Sequence, residues 1–548
     1  MPNAPFRRAA AATKTAARAA ALALLALGAP ACADLKEEVV TGVTSPYLNT
    51  TAGYEDLVRA TYKYSREFYG REAGWNLTEY GVDTFTKGAD GGFKYINDYT
   101  PQFNAGDANV RDVWRYMYEG INAANAVVGR AGGVTMDAAL KTRRVAEARF
   151  LRAFYYFHLV RLFGDVHLTL EETSDPTSSA TRTPAAEVYA AILDDLAFAE
   201  ANLPETTPDY GRATKGAARH LLAKVHLTRG QAGDFARAAE YAQKVIDGGQ
   251  YALLPRWADV WDQKNERHRE VVWAVQYTTD PLTNGVGQAN GNGGHLYFLM
   301  EYDVLPGMQR SIEYGRPFKR FRPTDYLIGL YDKEKDSRYR DGFQVMWRAN
   351  NPNTIPKDAA GRPRFAIGDT AVFLPGREMT AAEIAARPYR IFTPSQYSTR
   401  IYPTTIKFLD PGRPSLAEEA GSRDYQVFRL AETYLIAAEG LLRSGRADAA
   451  LPYFNAVRRR AALPGFAAQM EVTADKLTLE AILDERAREL AGESMRWFDL
   501  VRTGTLLERV RTHNPDARAN IKPTHVLRPI PQTQIDRTAG GYAQNPGY

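Results

Sequence analysis

Residues 212–246 read RATKGAARHLLAKVHLTRGQAGDFARAAEYAQKVI, and residues 425–460 read YQVFRLAETYLIAAEGLLRSGRADAALPYFNAVRRR. Each stretch has apolar residues at helical spacing, a turn that contains glycine, and a second half rich in alanine. Small residues at this spacing let two helices approach closely. Each stretch therefore predicts a pair of antiparallel helices, and these two pairs indicate a mainly helical protein.

The length of each stretch is close to that of a tetratricopeptide unit, about 34 residues, which buries its apolar face only by stacking on a neighbour. The first stretch begins at residue 212 and the second at residue 425, so they do not form a tandem array. We predict a mainly α fold in which tetratricopeptide-like helix pairs form the scaffold. Generic helical hairpins are the alternative.

Helical periodicity also dominates the rest of residues 51–248. Residues 144–163 are aromatic-rich and apolar on more than one side, which predicts a central buried helix. The next helix is predicted to begin with Thr183 as its N-cap and Pro184 in its first turn. We assign residues 51–248 to an N-terminal helical region.

Residues 249–423 differ, because proline, arginine and aromatic residues are scattered there with little periodicity. Only residues 270–277 (EVVWAVQY) form a clear predicted strand. We predict a second, irregular lobe with short strands, followed by helical hairpins and a C-terminal segment in residues 424–548. Together these two parts make a C-terminal region of residues 249–548.

The first 31 residues predict a secretory signal peptide. They contain four Lys/Arg side chains, no acid, and an apolar run at residues 19–29 that is too short to span a bilayer. Cys32, the only cysteine, follows at once and suggests a lipidated N-terminus, with a polar tether at residues 32–50. A free secreted protein is the alternative. No later segment reaches 18 apolar residues, so none is expected to span a membrane.

Charge and motif content exclude several function classes. Without residues 1–31 the chain has 65 basic and 64 acidic side chains, which gives no whole-molecule reason to bind nucleic acid. There is no HExxH, P-loop, GxSxG or GxGxxG motif, and one cysteine excludes a disulfide or a cysteine-based zinc site. Glu485, Glu489 and Glu493 share a helical face, but nearby arginines favour ion pairs over acid–base catalysis. We therefore expect no catalytic residues, no metal and no cofactor.

Aromatic residues are abundant, with 7 Trp, 31 Tyr and 23 Phe. A site for sugars needs flat rings beside polar side chains that bind hydroxyl groups. Trp75, Asp83, Tyr297 and Trp347 lie in segments that offer this mixture, and we predict them as ligand contacts. The alternative for any single ring is that it belongs to the core.

Several segments, in order along the chain, resemble the SusD/RagB family. They are residues 147–156 (EARFLRAFYY), 159–166 (LVRLFGDV), 484–490 (DERAREL), 496–504 (RWFDLVRTG), 525–531 (HVLRPIP) and 544–548 (QNPGY). The resemblance covers residues 32–548, with His167 where the family commonly has proline. Most of these motifs are structural and indicate the fold more than the ligand.

The resemblance implies a lipoprotein at the outer-membrane surface, without enzymatic activity, that captures an oligosaccharide or a peptide. It also implies a SusC-like TonB-dependent barrel as the partner that receives this ligand. Asp83, in residues 79–85 (EYGVDTF), matches a ligand-contacting position of the family. A helical-repeat scaffold that binds only proteins and a secreted glycosidase are the other two functions that the sequence allows.

Overall fold

The computed structural model of the chain describes residues 45–173, 177–284 and 290–548. The predicted signal peptide, Cys32 and most of the predicted tether lie outside these ranges. The described part is mainly helical with short strands in a second region, as the sequence predicted. None of its helices combines the length and the apolar character that crossing a bilayer requires.

Twelve helices of seven or more residues lie in the described ranges. They are α1 (Thr51–Lys63), α2 (Glu72–Thr78), α3 (Ala108–Arg130), α4 (Ala138–Phe163), α5 (Ala185–Asn202), α6 (Lys215–Arg229), α7 (Asp234–Asp247), α8 (Leu430–Arg443), α9 (Ala447–Ala461), α10 (Leu479–Glu489), α11 (Arg496–Arg502) and α12 (Leu506–His513).

Helix α4 confirms the prediction of a central buried helix, because nearly all of its residues after position 145 are buried. The predicted start of α5 was wrong by one residue. Pro184 is the N-cap, and Thr183 instead pairs with Val166 in an isolated β-bridge. The N–H of Ala185 is satisfied by the Asp165 carboxylate at 2.8 Å, which replaces the expected threonine cap.

Both predicted hairpins form. Helices α6 and α7 are joined through Gly230 and Gly233, and α8 and α9 through Gly445, all three with positive φ. The second hairpin begins later than predicted, because Tyr425–Arg429 is a strand and not the first turn of a helix. All five residues are buried although Gln426 and Arg429 are polar, so the segment shows neither the alternation of a half-buried strand nor a helical stripe.

The two hairpins stack on each other in space, with α7 packed against α8. Gly440 in α8 makes this approach possible, since a Cβ there would lie 2.6 Å from the Phe235 carbonyl oxygen. Ala238, Ala239 and Ala242 supply the small side chains of the facing helix, and all three are buried. We call α6–α9 the helix stack.

Nine short strands complete the described part of the chain. They are β1 (Phe85–Lys87), β2 (Val271–Val275), β3 (Phe321–Pro323), β4 (Phe343–Gln344), β5 (Met346–Arg348), β6 (Thr370–Phe373), β7 (Arg390–Ile391), β8 (Thr404–Thr405) and β9 (Tyr425–Arg429). The sheets are β1–β3, β2–β9, β4–β8 and β5–β6–β7, antiparallel except for β6–β7.

A group of buried charged residues joins the irregular lobe to the helices. It comprises Glu270, Asp336, Arg338, Lys407, Arg429, Arg460, Glu485, Glu489 and Glu493, which we call the ion cluster. Arg338 contacts Glu485 at 2.7 Å and Glu489 at 2.9 Å, and Arg429 contacts Glu489 at 2.6 Å. The three carboxylates are thus ion-paired as predicted, with main partners from distant segments, but the prediction of one shared helical face was wrong, because α10 ends at Glu489 and Glu493 lies in the turn after it.

Candidate functional site

The four predicted ligand contacts are interior residues. The exposed fraction is 0% for Trp75 and Asp83 and 1% for Tyr297 and Trp347. A side chain without exposed surface cannot lie against a ligand at the surface. The structure therefore does not support these side chains as surface contacts, and it favours the core alternative that the sequence left open for single rings.

Trp75 and Tyr297 belong to one aromatic group in the core. The indole N–H of Trp75 donates to the Gly492 carbonyl oxygen at 2.7 Å, and its ring centroid lies 5.4 Å from that of Tyr297. Phe298 and Phe408 pack edge-on against the same indole. Such edge-to-face contacts stabilise a core beyond the burial of area alone.

Trp347 lies in a different core, inside the irregular lobe. It is the middle residue of β5, and its ring stacks on that of Tyr302 with 6.4 Å between centroids. The predicted association of all four residues in one site does not occur, since Trp347 belongs to a separate hydrophobic cluster from Trp75 and Tyr297.

Asp83 has a structural role in this geometry. Arg496 donates to both of its carboxylate oxygens, at 2.7 and 2.6 Å, and Arg509 donates to one of them at 3.1 Å. Burial by itself would raise the pKa of Asp83, but the two guanidinium groups outweigh it and hold the pKa below its ordinary value. The carboxylate therefore connects the segment before β1 to α11 and α12.

A half-buried ring does lie above the predicted residues. Phe318 is partly exposed, and its ring centroid is 6.5 Å from that of Tyr297 beneath it. The guanidinium groups of Arg316 and Arg320 each lie 5.3 Å from the centre of the Phe318 ring. Tyr297 and, below it, Trp75 thus support a surface ring rather than contact ligand themselves.

Ion pairs surround this ring. Arg316 contacts Glu419 at 2.6 Å and Arg320 contacts Glu72 at 3.0 Å. Between them, Lys319 bridges Asp90 at 3.0 Å and Glu301 at 3.1 Å. We call the residues 72, 90, 301, 316, 318, 319, 320 and 419 the Phe318 surface. Its four acids and three bases are balanced by Arg400, which pairs with Glu301 at 2.7 Å, so the surface offers hydrogen-bonding groups with little net charge.

The ladder between β1 and β3 places this surface where the two halves of the chain meet. The loop after β1 runs along residues 319 and 320, and the N–H of Gly88 donates to the Arg320 carbonyl oxygen at 2.7 Å. A Cβ at Gly88 would lie 2.1 Å from the Lys319 carbonyl oxygen, so only glycine fits this approach. The sequence analysis did not predict Phe318 as a ligand contact. The pattern that could have indicated it is an aromatic residue with an arginine two positions before it and another two positions after it, Arg316 and Arg320.

The acidic residues of α10 are unsuited to proton transfer. Burial would raise the pKa of Glu485, but Arg338, Arg488 and Arg458 outweigh it and lower the pKa to about 2. Of the arginines near it in sequence only Arg488 pairs with it, at 3.0 Å. Among the described residues no group of three or more His, Cys, Asp or Glu side chains is arranged to hold a metal ion.

Two family profiles match the chain. One is described as "SusD family" and matches residues 269–548, half of the chain, and the other is described as "Starch-binding associating with outer membrane" and matches residues 70–227. Together they cover both the helical region and the irregular lobe that follows it.

Individual proteins are similar over most of the chain. SusD-like protein P2 of Formosa agariphila is 28% identical, covering 94% of this chain and 97% of its own. The starch-binding protein SusD of Bacteroides thetaiotaomicron is 27% identical, covering 72% of this chain and 70% of its own. A solved structure of a laminarin-binding SusD-like protein is 24% identical, with a TM-score of 0.68, covering 91% of this chain and all of that one, and it shares the fold. The protein belongs to the SusD/RagB family.

Proposed function

We propose that the protein is a non-catalytic receptor at the bacterial cell surface that captures an oligosaccharide. The observation that carries the proposal is the Phe318 surface, where a supported, half-exposed ring lies among paired charged groups. An aromatic face binds the apolar C–H groups of a sugar ring, and the surrounding donors and acceptors bind its hydroxyl groups. Since the charges of this surface balance, it suits neutral sugars.

The comparisons support this proposal. One relative is named as a starch-binding protein, a structure of the same fold is named as laminarin-binding, and one family description mentions association with the outer membrane. We propose that the protein lies at the outer membrane and, from the sequence alone, that a lipid on Cys32 anchors it there. We also propose that it hands its ligand to a SusC-like TonB-dependent barrel.

The carboxyl groups of the interior support binding without turnover. Glu485, Glu489 and Glu493 are buried and ion-paired, so they are not available as a general acid and its partner base. Burial raises the pKa of Glu79 to about 8, which would suit a general acid, but this carboxyl has no exposed surface for a substrate to reach.

Phe318→Ala tests the proposal. The protein is first screened by titration calorimetry against neutral oligosaccharides, including laminari- and malto-oligosaccharides. Loss of the ring removes a buried apolar contact, about 1–3 kcal/mol, so we expect a Kd that is roughly 5- to 150-fold weaker. Because Phe318 is only half-buried, the melting temperature should change by only a few degrees.

Phe198→Ala is the matched control. Phe198 is also half-buried, and the guanidinium of Arg149 lies 4.4 Å from its ring centre, but it lies on α5. This variant should bind sugars as the unmodified protein does. Equal affinity of the Phe318→Ala variant and the unmodified protein would contradict the proposed site, and product formation from a bound oligosaccharide would contradict the absence of catalysis.

A further inference from the structure

A second concave surface lies apart from the Phe318 surface and shares no residue with it. It is a cleft of about 950 Å³ between the C-terminal half of α1, the loop at residues 208–212 and strand β2. This volume lies within the range of small-molecule sites, about 300–1,000 Å³. The cleft therefore has room for several sugar rings.

Cations outnumber acids in the lining. The cationic residues are Arg59, Lys63, Arg66, Arg212 and Arg267, and the acidic residues are Asp56 and Asp209. Two of the cations have close acidic partners, since Arg59 contacts Asp56 at 2.8 Å and Arg212 contacts Glu147 at 2.8 Å and Asp209 at 3.0 Å. These pairs account for both acids of the lining.

The other three cations, Lys63, Arg66 and Arg267, have no carboxylate oxygen within 4 Å in the part of the chain that the structure describes. Aromatic rings and a carbonyl group position the two arginines instead. Arg66 lies 5.0 Å from the ring centre of Tyr277 and donates to the Thr283 carbonyl oxygen at 2.9 Å. Arg267 lies 4.9 Å from the ring centre of Tyr210. Cation–π contacts leave the N–H groups of an arginine free to bind an anion.

One carboxyl group, that of Asp424, interacts electrostatically with Arg66 and Arg267 but forms no salt bridge with them in the described structure. Asp424 is partly buried and accepts the backbone N–H of Tyr277 at 2.7 Å. Burial raises its pKa to about 6, although Arg267 and Arg66 oppose the shift. At neutral pH this carboxyl is still largely ionised, but it is one negative charge against the three cations Lys63, Arg66 and Arg267, so the lining keeps a surplus of positive charge.

The remaining wall suits sugar rings. Tyr210 is half-buried and offers its ring, whereas Trp273, which is 3% exposed, only supports the wall from the core through a hydrogen bond from its indole N–H to the Gly211 carbonyl oxygen at 2.9 Å. Gln276 adds an amide that both donates and accepts hydrogen bonds. Rings and amides bind the neutral part of a glycan, while two guanidinium groups bind carboxylate or sulfate with paired hydrogen bonds.

We propose that this cleft is a second ligand site that takes an acidic oligosaccharide, one that carries carboxylate or sulfate groups. The proposal rests on the proposed glycan-binding function but concerns a different surface and a different charge class of ligand. In this arrangement the Phe318 surface binds neutral sugar rings, and Arg66 and Arg267 select acidic ones.

The test uses the full-length protein and two probes of the same shape, hexagalacturonate and its methyl ester, in titration calorimetry. We expect saturable binding of hexagalacturonate that weakens as the salt concentration rises, and binding of the ester that is weaker by tenfold or more. Charge-assisted hydrogen bonds contribute about 1.5–3 kcal/mol, so Arg66→Gln and Arg267→Gln should each weaken Kd roughly tenfold or more. Arg362→Gln, which removes an exposed cation paired with Asp358, is the control and should change Kd less than twofold.

Several outcomes would overturn the proposal. The first three are a lack of saturable binding of hexagalacturonate, equal affinity for the methyl ester, and unchanged affinity in the two arginine variants. The fourth is equally tight binding of a hexaglutamate peptide, which would assign the cleft to acidic peptides. Unchanged melting temperatures of the glutamine variants show that any loss is local. If the protein binds neutral oligosaccharides but not hexagalacturonate, only this proposal is rejected. If it binds neither kind of oligosaccharide, the proposed function is rejected as well.

Discussion

The helix stack and the ion cluster hold the protein together in opposite ways. In the helix stack, small side chains and Gly440 let α7 and α8 approach, and the contact surface between these two helices is apolar. In the ion cluster, five acids and four bases lie in the interior, and Arg458 and Arg488 at its edge also pair with Glu485. An unpaired buried charge costs far more free energy than a lost methyl group. We therefore expect the stability of the protein to be less sensitive to the loss of one methyl group in the helix stack than to the loss of one partner in the ion cluster.

The largest effect is expected from Arg429→Ala. Arg429 contacts Glu270, Glu489 and Glu493, all of which are buried. Removing one partner of a buried ion pair costs about 3–5 kcal/mol, because the remaining charges lose their compensation. Urea unfolding should show this loss, or the variant should fail to accumulate in soluble form.

Arg362→Ala provides the contrast for Arg429→Ala. Its pair with Asp358 is exposed, and exposed pairs contribute only about 0–1 kcal/mol. If the Arg429→Ala variant unfolds at nearly the same urea concentration as the Arg362→Ala variant, the ion cluster does not stabilise the fold.

A second effect depends on pH. The pKa of Glu485 is about 2 in the folded protein, below the ordinary value of 4.5. A lowered pKa gives stability that is present above the unfolded value and is lost as the pH falls through the folded value. We expect the free energy of unfolding to fall between about pH 4.5 and pH 2, with a contribution from Glu485 of up to about 3 kcal/mol.

Glu485→Gln separates this group from the other carboxylates. The variant should be less stable than the unmodified protein at pH 7, and its stability should depend less steeply on pH below 4.5. Parallel pH profiles of the two proteins, measured by chemical unfolding, would show that Glu485 does not titrate in this range.

The smallest effect sharpens the apolar side of the comparison. A methyl group at Gly440 meets the backbone of α7, with Phe235 O at 2.6 Å and Ala239 N at 2.9 Å. Gly440→Ala should therefore destabilise the protein by about 1–3 kcal/mol through overpacking. Gly129→Ala makes the same change in α3, where nothing lies within 4 Å, and should instead stabilise by about 0.5–1 kcal/mol. Equal melting temperatures of these two variants would show that the helix stack is not tightly packed.

Local patterns predicted the elements well. The buried helix at residues 144–163, both hairpin turns and the strand within residues 270–277 follow from residue spacing and from glycine positions. These features depend on neighbours within a few residues along the chain. The strand at Tyr425–Arg429 was missed because a short, fully buried segment has no face to distinguish.

The four predicted ligand contacts are interior residues, and two of them, Trp75 and Tyr297, lie beneath the ring that we propose as a sugar contact. Trp75 and Tyr297 lie beneath Phe318, and the sequence offers the same ring type in both layers. Exposure depends on which residues cover a ring: Gly492, which contacts Trp75, lies 417 positions further along the chain, and Phe318, which covers Tyr297, lies on a separate segment before β3. Asp83 shows the same limit, since its partner Arg496 is 413 residues further along.

The sequence by itself determined that the chain is mainly helical, that it forms two hairpins with glycine turns, and that it resembles one family. Only the tertiary structure decided that the two hairpins stack on each other and that arginines from distant segments neutralise α10. It also decided that the Phe318 ring is half-exposed above Tyr297 and that Arg66 and Arg267 share a cleft. The reason is physical. The spacing of residue types along a helix or strand determines which of its faces is apolar or charged, but which residues pack against that face depends on contacts between segments far apart in the chain.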